Sequence, residues 1–77
     1  MTVKAYVLIE MKTEDIAETV AELRRKKGIK NASSVSGPYD IVAVIETDKY
    51  DDIPHIVAKE IRGLPGVDKT ITLLAFD

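Results

Sequence analysis

The sequence has no cysteine and no tryptophan, only three tyrosines and one phenylalanine, and a single histidine among its 77 residues. Without cysteine there is neither a disulfide framework nor a thiolate metal site, and one imidazole among scattered carboxylates offers no metal-ligand cluster. No apolar run approaches the roughly 18 residues needed to cross a bilayer. The N-terminus also lacks a basic segment leading into an apolar stretch and a small-residue cleavage site. Positive charge is not in excess either: 11 basic against 13 acidic residues leave a net charge of -2, which gives no cationic field to neutralise a phosphate backbone. These absences predict a soluble cytoplasmic protein with no cofactor, no metal, and no direct nucleic-acid or membrane partner.

Size sharpens the expectation. A chain of this length is expected to form a single domain, residues 1–77, that buries only about 60% of its unfolded surface. A core of that size rarely supplies more than roughly 3 to 5 kcal/mol, so small domains lean on disulfides, metals or self-association. With the first two weakened, self-association remains.

The residues that are present form a regular pattern. Thr2 to Met11 alternates, with Val3, Ala5, Val7, Ile9 and Met11 on one face and Thr2, Lys4, Tyr6, Leu8 and Glu10 on the other, which predicts a strand. Thr13 offers an N-cap hydroxyl, and Glu14 and Asp15 suit the positive end of a helix dipole. Ile16, Ala17, Val20, Ala21 and Leu23 then recur at helical spacing. Arg24, Arg25, Lys26 and Lys27 are expected in the last turn, with Gly28 in a left-handed stop. Ile29 to Ser36 reads as a second strand, Gly37-Pro38-Tyr39 as a turn, and Ile41 to Ile45 as a β-branched central strand apolar on both faces. A second helix follows, capped by Asp48 or Asp51, with Pro54 in its first turn, a stripe of Ile53, Ile56, Val57 and Ile61, and an end at Gly63. After Leu64-Pro65-Gly66, Val67 to Phe76 predicts a fourth strand.

The order βαββαβ, with right-handed crossovers, gives an α+β fold of ferredoxin-like type: a four-stranded antiparallel sheet with two helices on one face. The other face is then bare. Tyr6, Leu8, Leu74 and Phe76, with Val42 and Val44 of the central strand, are expected there, too apolar to be left in water, and are assigned to the interface of a homodimer.

The turn Gly37-Pro38-Tyr39-Asp40 before the strand Ile41-Val42-Ala43-Val44, and Leu64-Pro65-Gly66-Val67 before Thr70-Ile71-Thr72, resemble the ligand-binding (RAM) domain of Lrp/AsnC regulators over the whole chain. The resemblance implies a dimer that pairs through its sheets and assembles further, to octamers or decamers, with amino acids bound between dimers. The usual N-terminal helix-turn-helix is absent from this sequence, so the chain is expected to be a stand-alone form that meets DNA only through a full-length regulator of the same type. The resemblance also places the effector loop at Gly37, Tyr39 and Asp40, with Thr70 and Thr72 on the last strand and Ser34 and Ser36 as weaker candidates.

Residue chemistry fits that assignment. A zwitterionic amino acid needs an acceptor for its ammonium and donors for its carboxylate. Asp40 is expected to be the acceptor, so that Asp40→Ala removes any ligand response with the fold intact. Loop amides and the Thr70 and Thr72 hydroxyls are the candidate donors, and Gly37 allows close approach. The bland alternative is a hairpin turn in which Asp40 bonds nearby amides and Tyr39 packs at an interface. His55, the natural acid-base candidate, has no nucleophile near it in sequence and is expected on a solvated helix face. The basic run Arg24 to Lys27 suits a helix end better than a phosphate site. A non-enzymatic amino-acid-binding and oligomerisation module is therefore expected; the alternative is a small dimeric ferredoxin-like enzyme of monooxygenase or isomerase type.

Overall fold

The alternation that begins at Val3 produces strand β1, Val3–Met11, whose odd-numbered side chains from Ala5 onward are buried. A computed structural model of the protein describes residues 1–76, and in it β1 lies beside β3, Ile41–Thr47, at the centre of the sheet. Strand order is β2-β3-β1-β4, with β2 Ile29–Ser34 and β4 Val67–Ala75 at the edges and every pairing antiparallel. Helix α1 spans Ile16–Arg24, and α2, Asp52–Ile56, runs directly into a π-helical segment, Val57–Ile61. This is the expected ferredoxin-like βαββαβ fold.

The core lies between the sheet and the helices. Ala5, Val7 and Ile9 of β1 and Ile41, Ala43 and Ile45 of β3 are wholly excluded from solvent. Their register sets large against small, with Val7 opposite Ala43 and Ala5 opposite Ile45. Leu23 and Val20 from α1 and Ile53, Val57 and Ile61 from the second helix close over them. Each fully buried side chain of this size contributes about 1.5 to 3 kcal/mol. The π turn has a packing reason. In an α-helix, residues four apart overshoot one turn of 3.6 residues, so Ile53, Val57 and Ile61 would drift around the surface. The wider turn, closed by the bond from the Arg62 amide to the Val57 carbonyl at 2.9 Å, reverses that drift, and Ile61 is wholly buried.

Several boundaries differ from expectation. Helix α1 starts at Ile16, with Asp15 as cap residue and no side-chain cap bond; the Thr13 hydroxyl instead accepts from the Asp15 amide at 3.4 Å in the preceding turn. It ends at Arg24, so Lys26 and Lys27 lie in the following loop before Gly28, whose φ is +90°. Ala17 and Ala21 are exposed and Thr19 is buried instead, its hydroxyl donating to the Asp15 carbonyl at 2.9 Å. Strand β2 stops at Ser34, leaving Val35 and Ser36 in the connection. No helix among the described residues is long and apolar enough to cross a membrane.

The largest correction concerns the facing of β4. Its register sets Leu74 opposite Ala5, Thr72 opposite Val7 and Thr70 opposite Ile9, all on the helix side, and sets Leu73 opposite Tyr6 and Ile71 opposite Leu8. Leu74 therefore does not share the open face with Tyr6 and Leu8, and Phe76, two residues on, packs its ring 5.5 Å from Tyr50, which precedes α2. Strand facing is set by pairing to the neighbour, and an apolar row on a barely covered edge strand does not reveal it. The open face that results is apolar across three strands: Val42 and Val44, then Leu8 and Tyr6, then Ile71 and Leu73.

Candidate functional site

The end of β1 and the starts of β3 and β4 meet at one end of the sheet. Between Glu10 and Met11 the pairing of β1 with β4 shifts by a bulge, and β3 has not yet begun beside Met11. The Asp40 carboxylate fills this gap in the ladder, accepting the Met11 amide at 2.7 Å, while the Asp40 amide donates to the Ile9 carbonyl and its carbonyl accepts from Val35, both at 2.9 Å. Asp40 thus fastens the β2–β3 loop to β1. The Asp40 carboxylate, expected to accept from a ligand, thus has one of its two oxygens on the Met11 amide. Gly37 adopts a φ of +124°, which disfavours any residue with a Cβ, and open space surrounds it.

Tyr39 leaves this loop towards the start of β4. There a cleft of about 470 Å³ is lined by Tyr39, Arg62, Val67, Asp68, Lys69, Thr70 and Ile71. Its polar groups are of both signs. The Arg62 guanidinium and the Asp68 and Lys69 side chains have no hydrogen-bond or ion-pair partner among the described residues. A second cleft, also about 470 Å³, continues on the helix side between the second helix and β4, lined by Tyr50, Ile53, Pro54, Val57, Arg62, Thr70, Thr72 and Leu74. Its far end is closed by the Tyr50 hydroxyl, which donates to the Ala75 carbonyl at 2.6 Å.

Of the residues singled out in the sequence, the structure brings Tyr39 and Thr70 to one cleft and Thr72 to the next. Ser34 ends β2, which lies at the opposite edge of the sheet from β4, three strand spacings or about 14 Å away. Ser36 follows it into the exposed connection. Neither lines either cleft. Arg62, Asp68, Lys69 and Tyr50 were not singled out. Arg62 looks like an ordinary cation at a helix end, and adjacent opposite charges such as Asp68-Lys69 are common at the start of an exposed edge strand.

Other charged groups are spent elsewhere. Arg24 donates to the Ala32 carbonyl at 2.9 Å, and Arg25 pairs with Glu22 at 2.7 Å. That hydrogen bond and the charge of Arg25, aided by Lys26, hold the Glu22 carboxyl below its ordinary range. His55 is exposed, at the opposite end of the sheet from the Asp40 loop, in a cleft of about 510 Å³ with Lys27, Gly28, Glu46, Asp48 and Asp52 among its walls. Glu46 there is paired with Lys30 at 3.0 Å, and Asp52 accepts the Thr47 hydroxyl at 3.4 Å.

The sequence signature described as the Lrp/AsnC ligand binding domain matches residues 4–77. A homocitrate synthase from Sulfurisphaera tokodaii is 34% identical over 70 residues, a stretch that is 87% of this chain but 15% of that enzyme, so the chain spans a small part of its length. The crystal structure of TTHA0845 from Thermus thermophilus superposes with a TM-score of 0.89 at 31% identity, over 97% of this chain and 94% of that one. AsnC of E. coli superposes with a TM-score of 0.87 at 21% identity, over 97% of this chain and 51% of its own, which is a likeness of fold.

Proposed function

The chain belongs to the Lrp/AsnC ligand-binding domain family, and from that premise we propose that it is a non-catalytic regulatory module that binds a free amino acid and couples binding to self-assembly. The observation that carries this reading is the cleft at the start of β4, where groups of both signs, Arg62 and Lys69 against Asp68, with no partner among the described residues, stand beside the Tyr39 loop and the Thr70 hydroxyl. Such a set suits a zwitterion, whose carboxylate needs donors and whose ammonium needs an acceptor. Tyr39 and Thr70 line this cleft, and Asp68 adds an ammonium acceptor to it.

Assembly follows from the open face. Tyr6, Leu8, Val42, Val44, Ile71 and Leu73 form one apolar surface whose exposure is costly, and a second copy is its natural cover. The first cleft includes Ile71 of that same surface, so pairing of copies and ligand occupancy are linked: a ligand favours whichever assembly completes its pocket. Further growth to octamers or decamers, and mixed assembly with a full-length regulator in the cytoplasm, would carry the signal to DNA. Asp40 and the Tyr50 hydroxyl each hold a backbone partner, and His55 lies at the opposite end of the sheet, so these groups do not converge on one cleft, which supports the non-catalytic reading.

A thermal-shift screen of the twenty amino acids, paired with light scattering, tests it. A true effector at a hundred times its Kd stabilises the folded state by about 2.7 kcal/mol, enough to raise the Tm by roughly 10 °C or more in a domain of this size. If no amino acid moves either the Tm or the assembly size, the sensing function is wrong.

A further inference from the structure

The two edges of the sheet are finished differently. The Glu46 amide donates to the Gly28 carbonyl at 3.2 Å, so the even-numbered residues of β3 turn their backbone groups towards β2. Asn31 and Ser33, opposite Val44 and Val42, turn theirs back towards β3. Backbone direction alternates along a strand, which leaves Ala32 and Ser34 pointing away from the sheet. Both outward groups of Ala32 are filled: its amide donates to the Asn31 side-chain oxygen at 2.8 Å, and its carbonyl accepts from Arg24 Nε at 2.9 Å. Before it, the Ile29 amide donates to the Lys26 carbonyl at 3.2 Å, and a bulge between Ile29 and Asn31 bends the rim. Strand β4 has no such finish. The Lys12 amide donates to the Gly66 carbonyl at 2.8 Å, so even-numbered residues of β1 face β4, and Lys69, Ile71 and Leu73 face them. Thr70, Thr72 and Leu74 therefore point outward, and among the described residues nothing bonds their backbone groups there.

We propose that Arg24 and Asn31 are an edge guard, which closes the β2 side of the sheet to β4 of a second copy and so keeps the chain from adding end to end. The second copy is the occupant to be refused because of strand direction. With every pairing antiparallel in the order β2-β3-β1-β4, β2 and β4 run in opposite senses. A copy moved sideways by translation alone thus brings its β4 antiparallel to β2, with outward groups at the same two-residue interval. That contact repeats at each copy and does not close on itself, the arrangement that gives filaments. Growth of this kind needs both edges, so guarding one is enough. Bulges and charged side chains on an edge strand are recognised means to that end, and here a charged side chain and a neighbouring amide occupy the backbone groups themselves.

Light scattering on the intact protein over a range of concentrations tests the guard. The unaltered protein is expected to level off at one mass. Arg24→Ala with Asn31→Ala is expected to keep growing as concentration rises, to at least about twofold that mass. Thr72→Pro removes an outward amide from the far edge, where proline is tolerated, and Ser34→Pro does the same on β2. Either one, added to the double variant, is expected to return the mass to the unaltered level, a reversal that loosened packing around α1 does not give. A double variant that holds the unaltered mass, growth that neither proline reverses, or unlimited growth of the unaltered protein overturns the guard. A protein that answers to no amino acid loses the sensing function and leaves the guard standing.

Discussion

An aspartate after Gly-Pro-Tyr suits a ligand site and a turn equally well in sequence, because both use its short, acceptor-rich side chain. The three-dimensional register adds what the sequence cannot: Met11 has no partner on β3, and one oxygen of the Asp40 carboxylate supplies it. Asp40→Ala leaves the amide of a buried residue without its charged acceptor and is expected to destabilise by about 1.5 to 3 kcal/mol. Urea denaturation measures this, and an unchanged midpoint would return Asp40 to the ligand site. Gly66 makes a similar case: its φ is +86°, and an added Cβ would come 2.6 Å from the Thr13 hydroxyl oxygen. Gly66→Ala is expected to cost about 1 to 3 kcal/mol by the same assay. Glu22 illustrates the opposite extreme. Its lowered pKa means that its ion pairing with Arg25 and Lys26 contributes above the ordinary carboxylate range near 4.5 and is lost as pH falls through the lowered value. The group is exposed and screened, so Glu22→Gln is expected to leave the Tm at pH 7 unchanged within error and to flatten its fall only in acid.

At the scale of elements, legibility tracked burial. The odd-numbered row of β1 and the β-branched run of β3 are central and wholly covered on one side, so their patterns alone disclose both type and facing. The ends of α1 were less legible because Thr13 and the basic run suit a turn as well as a helix. The π segment left no signal, since Ile53, Val57 and Ile61 at intervals of four read as an ordinary stripe. Strand β4 was recognised as a strand but placed with the wrong side outward, because Ile71 and Leu73 on one row are matched by Leu74 and Phe76 on the other. The pairing makes a sharp distinction between neighbours. Leu73→Glu puts a charge on the open face and is expected to shift the protein towards monomer in light scattering, whereas Leu74→Glu is expected to keep the assembly. Equal effects of the two on assembly size would contradict the register.

For the whole molecule, one small core and one uncovered apolar face are the grounds for the proposal that stability depends on company. Folding and association are linked whenever the associated form is the one that buries the face, so the Tm is expected to rise with protein concentration, and Leu8→Glu is expected to lower it and remove that dependence. A concentration-independent Tm in the unaltered protein would mean that the face is wetted. The candidate site was partly legible at this scale: Tyr39, Thr70 and Thr72 converge around β4, while Ser34 and Ser36 belong to the far edge, a separation that strand order imposes and that proximity in sequence to the loop conceals.

Strand β4 is hydrogen-bonded to β1 along one margin only, and at its far end the Tyr50 hydroxyl on the Ala75 carbonyl and the Tyr50–Phe76 ring contact tie it to the segment before α2. Peripheral strands are the first to open in native-state fluctuations. The last segment of the chain should therefore surrender its amide protons to deuterium well before β1 or β3 does, and a bound metabolite would act as a clasp, slowing that exchange from Thr70 to Leu74.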